Sequence, residues 1–396
     1  MLPSRSPWED LTPMVEIIPF RGIRYKQKAL ANLISPPYDV ISPEQRAELL
    51  KLSEYNFVRI ELPESYLSAK RTFESWAKGK ILIRDKQPSI YVYQQEFLCA
   101  SRNIKRTGFF CGVRIDERNI RTHEDTLSKP VEDRLKMLRF LETATSAVFS
   151  LFPDSQNRIS NVLSKIVKEK PVVQFKDKTG ISHRFWQIAE PKIIKQISNG
   201  LAKEKILIAD GHHRTKVSAI YRSEMSARSK KSGGLAPYDY VFMYLCPMDD
   251  PGIVILPTHR VVQHDPDIEN KISKYFNLKH WDGKSLPYLT VFFQGEFKTM
   301  ELKNKKLKKQ YSEDMSIIAL HELVLNQVDS HDIVWTKEIA EAVKKAHGIN
   351  GYAFLLNPPS INTIYKLARS RKNLPIKTTY FYPKVPAGLV MYSVKD

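Results

Sequence analysis

The sequence predicts an α+β (mixed α/β) fold with antiparallel hairpins. Three patterns carry that expectation: strand-length apolar runs joined by polar links, helical stripes between them, and a strand–turn–helix unit near the middle of the chain. Residues 89–99 and 106–115 are rich in β-branched and aromatic side chains, and the polar link 101–105 makes them a hairpin. Lys129-Pro130 opens a helix, with the proline near the first turn and Val131, Leu135 and Leu138 at i, i+4 and i+7. Residues 146–152 read as a strand stopped by Pro153-Asp154. Ile206-Leu-Ile-Ala209 is a short continuous apolar run, the pattern of a buried strand. Asp210-Gly-His-His-Arg214 follows it, and then Val217, Ile220, Tyr221 and Met225 recur at helical spacing. Residues 226–237 form a Gly- and Ser-rich loop. Strands are expected at 240–246 and 252–256, a helix at 267–276, and a hairpin of 288–293 with 297–302 around Gly295. Helices at 317–326, 337–347 (stopped by Gly348) and 361–372 alternate with strands at 352–356 and 388–394.

Composition limits the function classes. The chain has 396 residues, 42% hydrophobic and 27% charged, which excludes a disordered or collagen-like protein. A chain of this length suggests more than one domain. The expected division is a tail over 1–13, an α/β domain over 14–232 and a C-terminal α/β domain over 233–396. The tail contains Pro3, Pro7 and Pro13 but no apolar core, so it does not read as a signal peptide. No stretch approaches the roughly 20 apolar residues of a membrane span. Three scattered cysteines, Cys99, Cys111 and Cys246, make neither a disulfide framework nor a cysteine-rich zinc site, and they fit a reducing cytoplasm. The net charge of +19 is spread along the chain. Its densest runs, Lys303–Lys309 and Arg369–Lys372, lack the interleaved aromatics of a single-strand binder. The excess reads as a lysine-rich solvated surface, with a polyanion preference as the alternative. No element for sequence-specific DNA reading is evident.

Five constellations carry chemistry. At the 209–215 turn, a helix N-terminus offers backbone N–H groups and partial positive charge to an anion. Gly211 lets the backbone approach a ligand, and Arg214 supplies a guanidinium fork. Asp210 has three candidate roles there: capping the helix, holding a metal or orienting a hydroxyl. Thr122-His-Glu-Asp-Thr126 precedes a helix. His123 and Glu124 suit a base or metal ligands, and equally an acid-rich helix start. No HExxH pattern completes them, because residue 127 is leucine. Pro257-Thr-His-Arg260 reads as pocket residues leaving a strand end or as a structural turn. Pro36-Pro-Tyr-Asp39 is a rigid turn whose aspartate is a site residue or a turn former. Lys377-Thr-Thr-Tyr-Phe-Tyr-Pro-Lys384 lines a pocket or forms a half-buried strand. The P-loop, Rossmann and nucleophile-elbow fingerprints are absent.

These stretches, with Pro19-Phe-Arg-Gly-Ile-Arg-Tyr25, Asn56-Phe-Val-Arg59 and Tyr91-Val-Tyr93, resemble the domain-of-unknown-function 1015 family over nearly the whole chain. The Asp-Gly-His-His-Arg turn also resembles, locally, the phosphate-binding box of the ParB/sulfiredoxin-like superfamily, including its free-serine kinases. Thr215 departs from the aromatic expected there. The second resemblance implies a ParB-like phosphate-binding core within 14–232 and an ATP or ADP ligand, with Mg²⁺. It also implies phosphoryl transfer to a small hydroxyl acceptor. Gly211, His212, His213 and Arg214 would hold phosphates, and Asp210 would hold Mg²⁺ or the acceptor. Glu124 or His123 would be its base, and Asp39, His259, Arg260 and Lys377 would line the substrate pocket. His123, Glu124, Asp210, His213 and His259 are expected to share one pocket. The alternatives are a nucleotide-responsive ParB-type regulator contacting DNA, and a metal-dependent hydrolase.

Overall fold

The structure, a computed structural model, describes residues 14–124, 128–228, 234–283, 287, 289–311, 315–370, 372 and 374–395. The tail expected over 1–13, Thr126 and part of the 226–237 loop lie outside these residues. The chain divides into two compact units. Of the described residues, the first holds those within 14–121, 128–253 and 383–395, and the second those within 122–124 and 254–382. The boundary expected at 232/233 falls inside the first unit.

The first unit contains β1 (Ile17–Ile18), β2 (Ile23–Tyr25), α1 (Pro43–Leu52), α2 (Val58–Glu61), α3 (Tyr66–Lys78), β3 (Leu82–Arg84), β4 (Ile90–Cys99) and β5 (Arg102–Arg114). It continues with β6 (Ile120–Arg121), α4 (Ser128–Leu141), β7 (Thr143–Ala144), β8 (Val148–Phe152), α5 (Arg158–Ile166), β9 (Val173–Lys176), β10 (Ser182–Ile188) and α6 (Pro191–Leu201). Then come β11 (Ile206–Asp210), α7 (His212–Arg228) and β12 (Tyr240–Pro247). Its central sheet runs β6-β11-β8-β12-β5-β4-β10-β9, with β1 beside β5. β12 is parallel to β8 and β11 is parallel to β6, while the other pairs are antiparallel, so the sheet is mixed, and its β4–β5 hairpin is antiparallel as the sequence predicts.

Alternation in β5 explains how this sheet is covered. Phe109, Cys111 and Val113 face a core shared with Val148, Ile208 and Met243, onto which Ile159 and Leu163 of α5 and Ile197 and Leu201 of α6 pack. Phe110 faces the other way, among Tyr93, Tyr244 and Phe242. Gly108 shares that aromatic face, and a Cβ there would stand 2.7 Å from the Tyr244 ring.

The second unit contains β13 (Val254–Leu256), β14 (His259–Gln263), α8 (Pro266–Tyr275), β15 (Phe276–His280), β16 (Leu289–Phe293), β17 (Glu296–Leu302), α9 (Lys305–Gln310) and α10 (Ser316–Leu323). It ends with β18 (Val334–Thr336), α11 (Ile339–Gly348), β19 (Gly351–Leu356), α12 (Ile361–Arg369) and β20 (Tyr380–Tyr382). Its antiparallel sheet runs β15-β17-β16-β19-β14-β18. Ala342 and Ala346 of α11 pack on Val261, Phe292, Ala353 and Leu355. β21 (Tyr392–Ser393) returns to the first unit and pairs with β7.

Several local expectations are corrected. The hairpin link is two residues, Ala100 and Ser101, both left-handed (φ 46° and 63°), so β5 begins at Arg102 within the supposed loop. Gly348 is the last helical residue of α11, and Asn350 takes the left-handed turn at φ 46°. The strand expected at 388–394 is only Tyr392–Ser393, and Gly388 is left-handed at φ 89°. Pro257 and Thr258 precede β14, which His259 opens opposite Thr336, and Arg260 is paired on both sides, with Trp335 and Phe354.

Gly108→Ala forces a methyl group against the Tyr244 ring and the Leu245 carbonyl. It is expected to cost about 1–3 kcal/mol, read by urea unfolding. A variant as stable as the parent contradicts the packing described here.

Candidate functional site

The site in the first unit grows from the end of β11. The pairing of β11 with β8 shifts register between Ile208 and Asp210, which sets Asp210 opposite Phe149. Gly211 follows at φ 102°, a left-handed conformation that favours glycine, and α7 starts at His212. Its carbonyl accepts the Thr215 N–H at 3.0 Å, the first bond of the helix. A Cβ on Gly211 would stand 3.0 Å from Arg214 Nε, so glycine also makes room for the arginine.

Asp210 is the centre. Its Oδ2 accepts from Arg214 Nη2 at 2.7 Å, and its Oδ1 accepts from Lys384 Nζ. Arg214 Nη1 also donates to the Ala147 carbonyl. All three side chains are between 11% and 14% exposed, so water screens the cluster weakly. Burial works against ionisation of Asp210, but Lys384 and Arg214 outweigh it and hold the carboxyl well below the usual range.

Asp39, in the short helical turn Tyr38–Val40, is shifted the other way. The surrounding protein raises its carboxyl and the Asp210 charge adds to the rise, against the pull of Arg214 and Lys384. Asp39 remains exposed, so water moderates the first effect. Tyr38 lies under the Arg134 guanidinium, 4.3 Å from its ring centroid. His212 is buried, and burial pushes its imidazole down to about 4, so it is neutral near pH 7. His213 is partly buried beside it.

The other expected residues lie in the second unit. His123 is completely buried and shares a hydrogen bond of 3.2 Å between its Nε2 and Thr379 Oγ1. Glu124 Oε1 accepts from the Thr379 N–H and hydroxyl at 3.2 and 3.1 Å. Arg260 is fully buried and donates to the carbonyls of Thr258, Ile376 and Lys377 and to His321 Nε2. Burial pushes its guanidinium down to about 9, with the Glu124 charge opposing. His259 is also fully buried; its Nδ1 accepts from the Leu356 N–H, and burial pushes it down to about 4. Lys377 is left-handed at φ 53°, with its ammonium 5.1 Å from the Trp335 ring centroid. Both were expected as substrate contacts; Arg260 is occupied in holding the 376–377 carbonyls, and His259 in accepting the Leu356 N–H. Of the five residues expected to share a pocket, Asp210 and His213 belong to the first unit and His123, Glu124 and His259 to the second.

Lys384, read in the sequence only as the end of the 377–384 stretch, is the partner of Asp210 that sequence reasoning missed. It lies 174 residues from Asp210, so no spacing pattern ties the two together. The arrangement also bears on magnesium. Both oxygens of Asp210 already face cations, and among the described residues no group of three or more His, Cys, Asp and Glu side chains gathers to hold a metal ion. A resident Mg²⁺ does not fit Asp210 as it stands. Among the described residues no helix is long and apolar enough to cross a membrane.

A family described as "Protein of unknown function (DUF1015)" matches residues 17–335. The chain belongs to this family. Lys384 lies beyond the matched residues. No curated protein matches the chain. A solved free serine kinase in complex with AMP is 12% identical, covering 72% of this chain and 91% of its own, with a TM-score of 0.38. SbnI with C-terminal truncation, from Staphylococcus aureus, is 9% identical over 70% and 85%, with a TM-score of 0.41. A conserved hypothetical protein from Pyrococcus furiosus is 12% identical over 72% and 95%, with a TM-score of 0.37. Likeness at this level assigns no activity to the chain.

The depressed pKa of His212 gives a testable sign. Between about pH 4 and 6.5 the unfolded chain binds a proton at this residue that the folded chain does not, so its contribution to stability falls as pH drops through that window. Relative to His212→Gln, the parent is expected to lose about 3 kcal/mol from pH 7 to pH 4, measured by urea unfolding. A difference that does not vary with pH contradicts the burial of a neutral imidazole.

Proposed function

We propose that the chain binds the phosphates of a nucleotide at the 210–214 turn and transfers a phosphoryl group to a small hydroxyl acceptor. The observation that carries this reading is Asp210 held between Arg214 and Lys384 at the N-terminus of α7. The Asp210 carboxylate stands against two cations and the positive end of a helix, which offer an anion N–H donors and an ammonium even with the Asp39 carboxylate opposing them. Arg214 is committed to Asp210 and the Ala147 carbonyl, so its part is to fix the turn. The first-turn N–H groups of α7 and the Lys384 ammonium are the groups that meet phosphate.

Asp39 supplies the proton acceptor. Two carboxyl groups whose surroundings push their pKa values apart divide the work, one staying ionised and the other exchanging a proton. Asp210 is the first and Asp39 the second. The acceptor hydroxyl passes its proton to the Asp39 carboxylate while its oxygen bonds to the terminal phosphorus. The bridging P–O bond breaks, and the shortened nucleotide leaves with the electron pair, its charge met by Lys384 and the helix end. His123 and Glu124 are not needed for this step.

Isothermal titration with ADP tests the binding. Lys384→Ala is expected to weaken it by about 1.5–3 kcal/mol, the worth of a hydrogen bond to a charged group. Asp39→Asn is expected to keep ADP affinity within twofold, about 0.4 kcal/mol, while phosphate release from ATP to a hydroxyl acceptor stops. A parent protein that does not bind ADP at millimolar concentration rejects the reading.

A further inference from the structure

The segment that brings Lys384 to Asp210 is itself held by two buried side chains on the first sheet. Gln95 and Arg106 face each other across β4 and β5, and both are 0% exposed. The Gln95 amide donates to the Lys384 carbonyl at 3.1 Å. Arg106 Nη2 donates to the Pro383 carbonyl at 2.5 Å and also to Gln95 Oε1. Two consecutive main-chain carbonyls are thus fixed, and the second belongs to the residue whose ammonium meets Asp210.

The surroundings leave this pair little freedom. The Arg106 guanidinium lies 4.6 Å from the Phe149 ring centroid, and Phe149 is the register partner of Asp210. A Cβ on Gly252 would stand 2.5 Å from the Lys105 carbonyl and from Arg106 Cα, so the 252 backbone closes over the arginine. Asp250 accepts from the Thr107 and Gly252 N–H groups at 3.1 and 2.8 Å and pins that backbone in place. Burying a guanidinium is costly, and apolar side chains fill a purely structural position at lower cost. A guanidinium that reads the carbonyl of the residue before Lys384 has a use that packing alone does not supply.

We propose that Gln95 and Arg106 are positioning residues that set where the Lys384 ammonium stands at the phosphate turn. The proposal rests on the phosphate-binding reading given above and adds the device that completes that site from the C-terminal segment. Neither residue touches the phosphate. Each acts through the main chain of residues 383–384.

The reactivity of Lys384 tests this without any ligand. Gln95→Glu keeps the size of the side chain and its oxygen for Arg106, and removes the amide donor to Lys384. Parent and variant are treated with acetic anhydride and the modified lysines counted by mass spectrometry. Lys205, bonded to Asn119 at 2.8 Å, serves as the internal control. The expected result is labelling of Lys384 about fivefold faster in the variant, the equivalent of one neutral hydrogen bond, with Lys205 unchanged. Equal labelling of Lys384 in the two proteins overturns the proposal. If Lys205 also becomes reactive, the variant has lost its fold, and Gln95→Met is judged by the same criterion. ADP titration of the same samples separates the two readings. Faster labelling with no ADP binding in the parent retains the positioning device and rejects the phosphate site. ADP affinity that falls with the labelling change supports both.

Discussion

One part-buried carboxylate organises the first unit. Asp210 is the last residue of β11, and its two oxygens draw together a helix and a distant strap. An ionised carboxylate at this depth persists only with close cations. Arg214 comes from one turn into α7 and Lys384 from the C-terminal segment, so the pairing fixes helix, strand and strap at once. Removing either cation would leave the other features intact in sequence but without the charge that aligns them. The left-handed Gly211 belongs to the same constraint, because the arginine folds back over it.

The opposite shifts of Asp39 and Asp210 follow from the same geometry. Asp210 holds the nearest cations, so its charge is stabilised and radiates onto Asp39, which receives a weaker share of them. Asp39, read in the sequence as a site residue or a turn former, thus has its carboxyl raised by the surrounding protein and by the Asp210 charge. The neutral His212 fits this pattern: buried at the positive end of a helix, it adds no further charge to the turn. The densest basic run of the sequence, Lys303–Lys309, lies largely on α9, in the other unit.

Much of the fold was legible because the periodic signals are strong. Val131, Leu135 and Leu138 are buried as their spacing predicts, and the apolar run 206–209 is a buried strand. The strand–turn–helix unit was readable for the same reason, down to the glycine. The first eighty residues were not, since α1 buries none of its residues and α2 has a single turn. Arg260 misled because a charged residue at the start of a strand looks like part of a turn until the buried carbonyls that satisfy it are seen. Lys384 was invisible as a partner of Asp210 because only tertiary folding brings a residue 174 positions away into contact. Its position in a polar–aromatic stretch was noticed, but nothing in that stretch distinguishes Lys384 from Lys377.

A crystal structure of the protein grown with ADP tests the central claim most directly. The account predicts the terminal phosphate at the start of α7, with its oxygens about 3 Å from first-turn N–H groups and from Lys384 Nζ, and Arg214 still on Asp210. ADP ordered at another place, with Lys384 and Asp210 paired and the turn bare, would contradict it.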